Sequence, residues 1–108
     1  MTRGDIVVVA ARGVDTGKPR PAVVVQSNSF TPTHDSITLC LITSNAIDTP
    51  MFRVSLPSGE QTGLVMGSQV MVDKVVTVPR AAIVGHIGSC DPVHLDAIDN
   101  ALRGWLSL

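Results

Sequence analysis

The sequence predicts a mainly β fold with a C-terminal helix, either a small SH3-like barrel or a curled antiparallel sheet. Three observations carry this expectation. Short apolar runs rich in valine, isoleucine and leucine recur between residues 6 and 87, each bounded by turn residues. From Asp91 onward the apolar positions switch to helical spacing. At 108 residues the chain is one domain, 1–108, with room for a modest core.

The elements follow in order. Ile6 to Ala10 is a short apolar strand, and Gly13, Asp15, Gly17 and Pro19 mark Ala11 to Pro19 as a loop. Ala22 to Ser27 holds three consecutive β-branched valines and reads as the second strand. Asn28 to Asp35 has turn chemistry. Ser36 to Thr43 is the third strand, with Ile37, Leu39 and Leu41 on one face and Thr38, Cys40 and Ile42 on the other. Phe52 to Leu56 alternates as a half-buried strand, and Pro57 to Gly63 is a hairpin-type connection. Leu64 to Val78 is strand-rich, with a bulge or turn expected at Gly67-Ser68. Ile83 to Ile87 is the last strand. Asp91 is an N-cap and Pro92 fits the first helical position, after which Leu95, Ile98, Leu102 and Leu106 line one face.

Composition narrows the function. The apolar fraction is 44% and the charged fraction 16%, as in a compact globular chain. Phe30, Phe52 and Trp105 are the only aromatics, which argues against a base-stacking platform. A net charge of −1 gives no strong field toward nucleic acid or membrane. The charge is uneven, however. Residues 1–20 set Arg3, Arg12, Lys18 and Arg20 against two aspartates, a local basic segment suited to a small anionic target. Cys40 and Cys90 are expected to be free thiols. No signal peptide and no transmembrane-length run is visible, so the expected location is the cytoplasm.

No HxxxH, CxxC or paired-carboxylate spacing suggests a metal site, and no Gly-rich phosphate loop or GxSxG elbow occurs. His86 reads as a strand residue and His34 as a turn residue. What remains is Arg20, held between Pro19 and Pro21 in extended backbone at the mouth of the second strand. Thr43-Ser44 stands at the end of the third strand. If the two strands are antiparallel neighbours, the guanidinium and the hydroxyl converge on one edge of the sheet.

Arg3-Gly4-Asp5-Ile6, Lys18-Pro19-Arg20-Pro21-Ala22-Val23-Val24-Val25, Leu41-Ile42-Thr43-Ser44 and Asp73-Lys74-Val75-Val76-Thr77-Val78 occur in this order. In these motifs the chain resembles the PemK/MazF family of toxin endoribonucleases, over essentially its whole length. The resemblance implies sequence-specific, metal-independent cleavage of single-stranded RNA by 2′-hydroxyl attack, giving a 2′,3′-cyclic phosphate and a 5′-hydroxyl. It implies no cofactor. Arg20 and Thr43 correspond to the residues assigned to cleavage. Ser44 supports them, and Asp73 is either a base or the group that holds Arg20. The PemK-type arginine would fall at Met71. Arg12, Lys18, Asn45 and Lys74 are the candidate substrate-binding residues.

The resemblance also implies a homodimer and a cognate antitoxin whose flexible tail lands on the basic first loop, with no membrane partner. An alternative on the same fold is a CcdB-like toxin, which poisons gyrase by contact. Such toxins end Trp-Gly-Ile, whereas this chain carries Gly104-Trp105 and ends Leu106-Ser107-Leu108. A non-catalytic SH3-like binding barrel would need aromatic grooves that this chain lacks.

Overall fold

The computed structural model describes residues 1–10 and 18–108. Six strands, β1 (Asp5–Val9), β2 (Arg20–Val24), β3 (Ser36–Thr43), β4 (Arg53–Leu56), β5 (Ser68–Pro79) and β6 (Ile83–Ser89), precede one helix, α1 (Pro92–Leu106). The strands form one antiparallel sheet in the order β4-β5-β3-β2-β1-β6. Among the described residues β4 and β6 do not pair, so the sheet is curled and open, not a closed barrel.

Two boundaries differ from expectation. The second strand begins at Arg20, not Ala22, so the arginine is itself a ladder residue. The expected run Leu64 to Val78 divides: pairing begins only at Ser68, Leu64 is buried, and Val65 is 96% exposed. Hydrophobicity alone reads that run as continuous, but Gly63 has φ +72° and turns the chain out of line before Leu64. The interruption expected at Gly67-Ser68 is present, since the chain bends at Val65-Met66 and β5 starts only at Ser68, and a second irregularity lies further along. Between the pairs Ile42–Val70 and Cys40–Val75, β5 advances five residues while β3 advances two, leaving Asp73 and Lys74 in a bulge.

Strand alternation builds two cores, one on each face. Ile6, Val23, Cys40, Ile42, Val70 and Val72 face α1, where Ile98 is fully buried against them. Val7, Val9, Val24, Ile37, Leu39 and Val78 gather on the opposite face with Ala82. Both faces are covered, which is why the strands read as unbroken apolar runs rather than alternating ones.

The helix is fixed at its start and from its side. Asp91 Oδ1 accepts the His94 N–H at 2.8 Å, and this backbone hydrogen bond, with that of the His94 ring, holds the Asp91 carboxyl below its usual range. Arg3 donates from Nε to the Val25 carbonyl at 2.8 Å and from Nη2 to Asp99 at 2.6 Å. This corrects the expected basic cluster: Arg3 ties the N-terminus to α1 beyond the end of β2, while Arg20 begins that strand. Nearness in sequence misled because β1 and β2 run antiparallel.

Candidate active site

β2 and β3 pair with Ala22 opposite Leu41, and the same register carried to the strand ends sets Arg20 opposite Thr43. Thr43 in turn faces Gln69 on β5, and Gln69 faces Ser55 on β4. On the other side Arg20 faces Val9. The paired row is Thr43, Gln69 and Ser55, and the extended register would bring Arg20 level with its Thr43 end, directly opposed residues sharing a face. Arg20 is half-buried.

Thr43 Oγ1 accepts the Asn45 N–H at 3.1 Å. Its hydroxyl hydrogen has no acceptor among the described residues, so the group is oriented by the backbone and can still donate. Beside Arg20 lies a cleft of about 220 Å³, walled by Pro21, Ile42, Ser44, Leu64, Met66 and Ser68, with Val65 at its rim. Ser44 therefore meets Arg20 in the cleft, whereas Thr43, the residue before it, does not line the cleft. Three larger hollows lie elsewhere among the described residues, about 440 Å³ beside Asp5 and His86, about 660 Å³ between β4 and α1, and about 240 Å³ beside Arg3 and Asp99. The second sets Arg53 near one hydroxyl, Ser55, whereas the cleft sets Arg20 among two, Ser44 and Ser68.

The other expected site residues are distributed as follows. Lys18 is exposed two residues before Arg20, and Asn45 is exposed two residues after Thr43. Arg12 lies outside the described residues, as does most of the expected basic loop. Asp73 and the exposed Lys74 sit in the β5 bulge, several residues along the strand from the Thr43–Gln69 pair. Asp73 makes no hydrogen bond or ion pair to Arg20 among the described residues, and its Oδ1 is buried without a hydrogen-bond partner. His86 is on the edge strand β6, 59% exposed, with Nε2 at 3.5 Å from Asp5. His34 caps a surface turn.

Gln69 and Arg53 were not expected at the site. Their signal was a long polar side chain on each of two neighbouring strands. Both cysteines are free, and burial pushes the Cys40 thiol up to about 12 and the Cys90 thiol up to about 11, so neither offers a thiolate nucleophile near neutral pH. Among the described residues no three metal-ligating side chains gather, and no helix is long and apolar enough to cross a membrane.

A model of the PemK-like, MazF-like toxins of type II toxin–antitoxin systems matches residues 2–106. The chain belongs to this family. A probable endoribonuclease MazF of Mycolicibacterium smegmatis is 38% identical over 108 residues, covering 100% of this chain and 98% of that protein. Endoribonuclease MazF9 of Mycobacterium tuberculosis is 30% identical over 116 residues, covering 100% and 98%. Among solved structures, the Mycobacterium tuberculosis toxin MazF-mt6 superposes with a TM-score of 0.82 at 20% identity, over 96% of this chain and 97% of that one. A MazE-MazF structure from Deinococcus radiodurans gives 0.83 at 20% identity, over 100% and 97%. The two structures share the fold with this MazF-like chain: a curled sheet with one terminal helix.

Proposed function

We propose that this chain is a toxin endoribonuclease that cuts single-stranded RNA at specific sequences without a metal ion. The 2′-oxygen forms a bond to the adjacent phosphorus as the bond to the 5′-oxygen breaks, leaving a 2′,3′-cyclic phosphate and a 5′-hydroxyl. One proton leaves the 2′-hydroxyl and one reaches the departing 5′-oxygen. The observation that carries this reading is the cleft Arg20 shares with Ser44 at the end of β3, beside Thr43 with its hydroxyl turned by the Asn45 amide. The family match and the endoribonuclease relatives support it over gyrase poisoning.

The roles follow from charge. Negative charge grows on the non-bridging oxygens in the transition state, and a guanidinium fixed on a strand stabilises it with little reorganisation. A guanidinium holds its proton too firmly near neutral pH to be an easy acid, so charge stabilisation is the first role of Arg20. Thr43 donates to a phosphoryl oxygen or orients the 2′-hydroxyl. Ser44 and Asn45 contact RNA beside them, with Arg12, Lys18 and Lys74 supplying charge for its backbone. Asp73 is the remaining candidate base, in which role its other oxygen, Oδ2, would have to reach the 2′-hydroxyl, because Oδ1 is buried. Incubation of the purified protein with RNA in excess chelator, with both ends of each cut mapped, tests the whole reading. Absence of cutting, or cutting only after a divalent ion is added, would refute it.

Two partners belong to the same reading. Val65, Met51, Val84 and Val93 are among the large apolar side chains left more than half exposed, which supports a homodimer. Sedimentation at micromolar concentration should give twice the chain mass, and a strictly monomeric mass would rule the dimer out. A cognate antitoxin with a flexible tail would cover the surface around Lys18 and Arg20 and so compete with RNA. Saturating antitoxin should abolish RNA binding in a titration; unchanged RNA affinity would place inhibition elsewhere.

A further inference from the structure

The segment from Ser44 to Pro50 leaves the end of β3 and is held to the sheet by the Gln69 side-chain amide together with Arg53. Gln69 Nε2 donates to the Ile47 carbonyl at 3.0 Å, and Gln69 Oε1 accepts the Ile47 N–H at 3.1 Å. The amide thus does for Ile47 what a neighbouring strand would do. Arg53 donates from Nη1 to the same Oε1 at 3.1 Å. Because a guanidinium only donates, this contact fixes which end of the Gln69 amide is the oxygen. The same Nη1 lies 3.5 Å from the Asn45 carbonyl. Asn45 donates its N–H to Thr43 Oγ1, and Thr43 stands opposite Gln69 in the ladder. The contacts close into a circuit running from the catalytic row, through the loop, and back to the row.

We propose that Gln69 and Arg53 are positioning residues that fix the Ser44–Ile47 backbone against RNA and thereby set which sequence is cut. The proposal rests on the endoribonuclease reading above and deepens it. Arg20 and Thr43 sit on strands and meet the phosphate, which is the same in every sequence. The loop presents exposed Ser44 and Asn45, groups that can read base edges. With three aromatics in the whole chain, discrimination leans on hydrogen bonds, which need their donors and acceptors held to within roughly 0.5 Å. A loop that must first be ordered spends binding free energy on ordering itself and reads less sharply.

The test compares wild type with Gln69→Ala, Gln69→Glu and Arg53→Lys in the full chain. A mixed RNA pool is cut and the ends are mapped, giving rates at the preferred site and at sites differing by one base. Amide hydrogen exchange at Ile47 is measured in parallel. Gln69→Ala should lower the ratio of preferred to mismatched cutting by about tenfold, and speed Ile47 exchange by about tenfold or more. Gln69→Glu keeps the acceptor but loses the donor to Ile47, so it should fall between alanine and wild type. If Gln69→Ala does not fold, Gln69→Glu and Arg53→Lys carry the same comparison. Equal loss at every site, or no change, in variants of a wild type that does cut would overturn the proposal and leave the enzyme reading standing. A wild type that cuts no RNA overturns the enzyme reading and the specificity role together. Unchanged Ile47 exchange overturns the brace whatever the RNA result.

Discussion

Arg20→Ala should reduce single-turnover RNA cleavage by about 10³-fold while the protein remains folded. The magnitude follows from removing a preorganised charge aimed at a developing oxyanion, where a single lost donor already costs about 10²–10³-fold. The fold should survive because Arg20 is half-buried at a strand end and belongs to neither core cluster. Arg20→Lys should recover part of the rate, since an ammonium restores the charge but not the planar fork. Thr43→Val should lose less, about tenfold, because a neutral hydrogen bond is worth roughly 1 kcal/mol. The checks are burst-free cleavage rates alongside circular dichroism and thermal melts. Wild-type rates in a well-folded Arg20→Ala protein would remove Arg20 from the chemistry.

Gly63→Ala should destabilise the protein severely for a change of one methyl group. Gly63 has φ +72°, a conformation that costs an L-residue about 1–2 kcal/mol. A Cβ there would also overlap the Ile87 carbonyl of β6, and backbone cannot swing aside as a side chain can. Overpacking of that kind adds about 1–3 kcal/mol. Against a total stability of roughly 5–15 kcal/mol, the sum should lower the melting temperature by about 10 °C or more. The connection is otherwise well tied, with Thr62 Oγ1 donating to the Pro57 carbonyl at 2.7 Å and the Ser89 N–H donating to the Gln61 carbonyl at 2.8 Å. Displacing it would shift Leu64 to Met66, the wall of the cleft beside Arg20, so activity should fall with stability. Gly67→Ala is the control: a Cβ there meets nothing within 4 Å, and its melting temperature should stay within a degree or two of wild type. A wild-type melt for Gly63→Ala would show that this crossing can relax.

That Arg20 stands at the start of the second strand and Thr43 at the end of the third was legible in the sequence, because it needs only local rules and one pairing. Two prolines hold Arg20 extended, Thr43 ends an apolar run, and strands consecutive in the chain tend to pair. The helix was legible for the same reason, since Asp91, Pro92 and the Leu95–Ile98–Leu102 spacing are all local signals. What only the tertiary structure decided depends on chain segments far apart in sequence. Arg3 looked like a neighbour of Arg20, yet its guanidinium pairs with Asp99, at the other end of the chain. Leu64 to Met66 looked like strand, yet Gly63 must turn against Ile87, a contact no local pattern encodes. Arg53 read only as the polar side of a half-buried strand and Gln69 as one residue of a strand-rich run, and only the ladder brings them to Ile47 and Asn45. Periodicity fixes which residues face a core. The partners of a polar side chain are fixed by register and by the curl of the sheet, which many distant contacts set together.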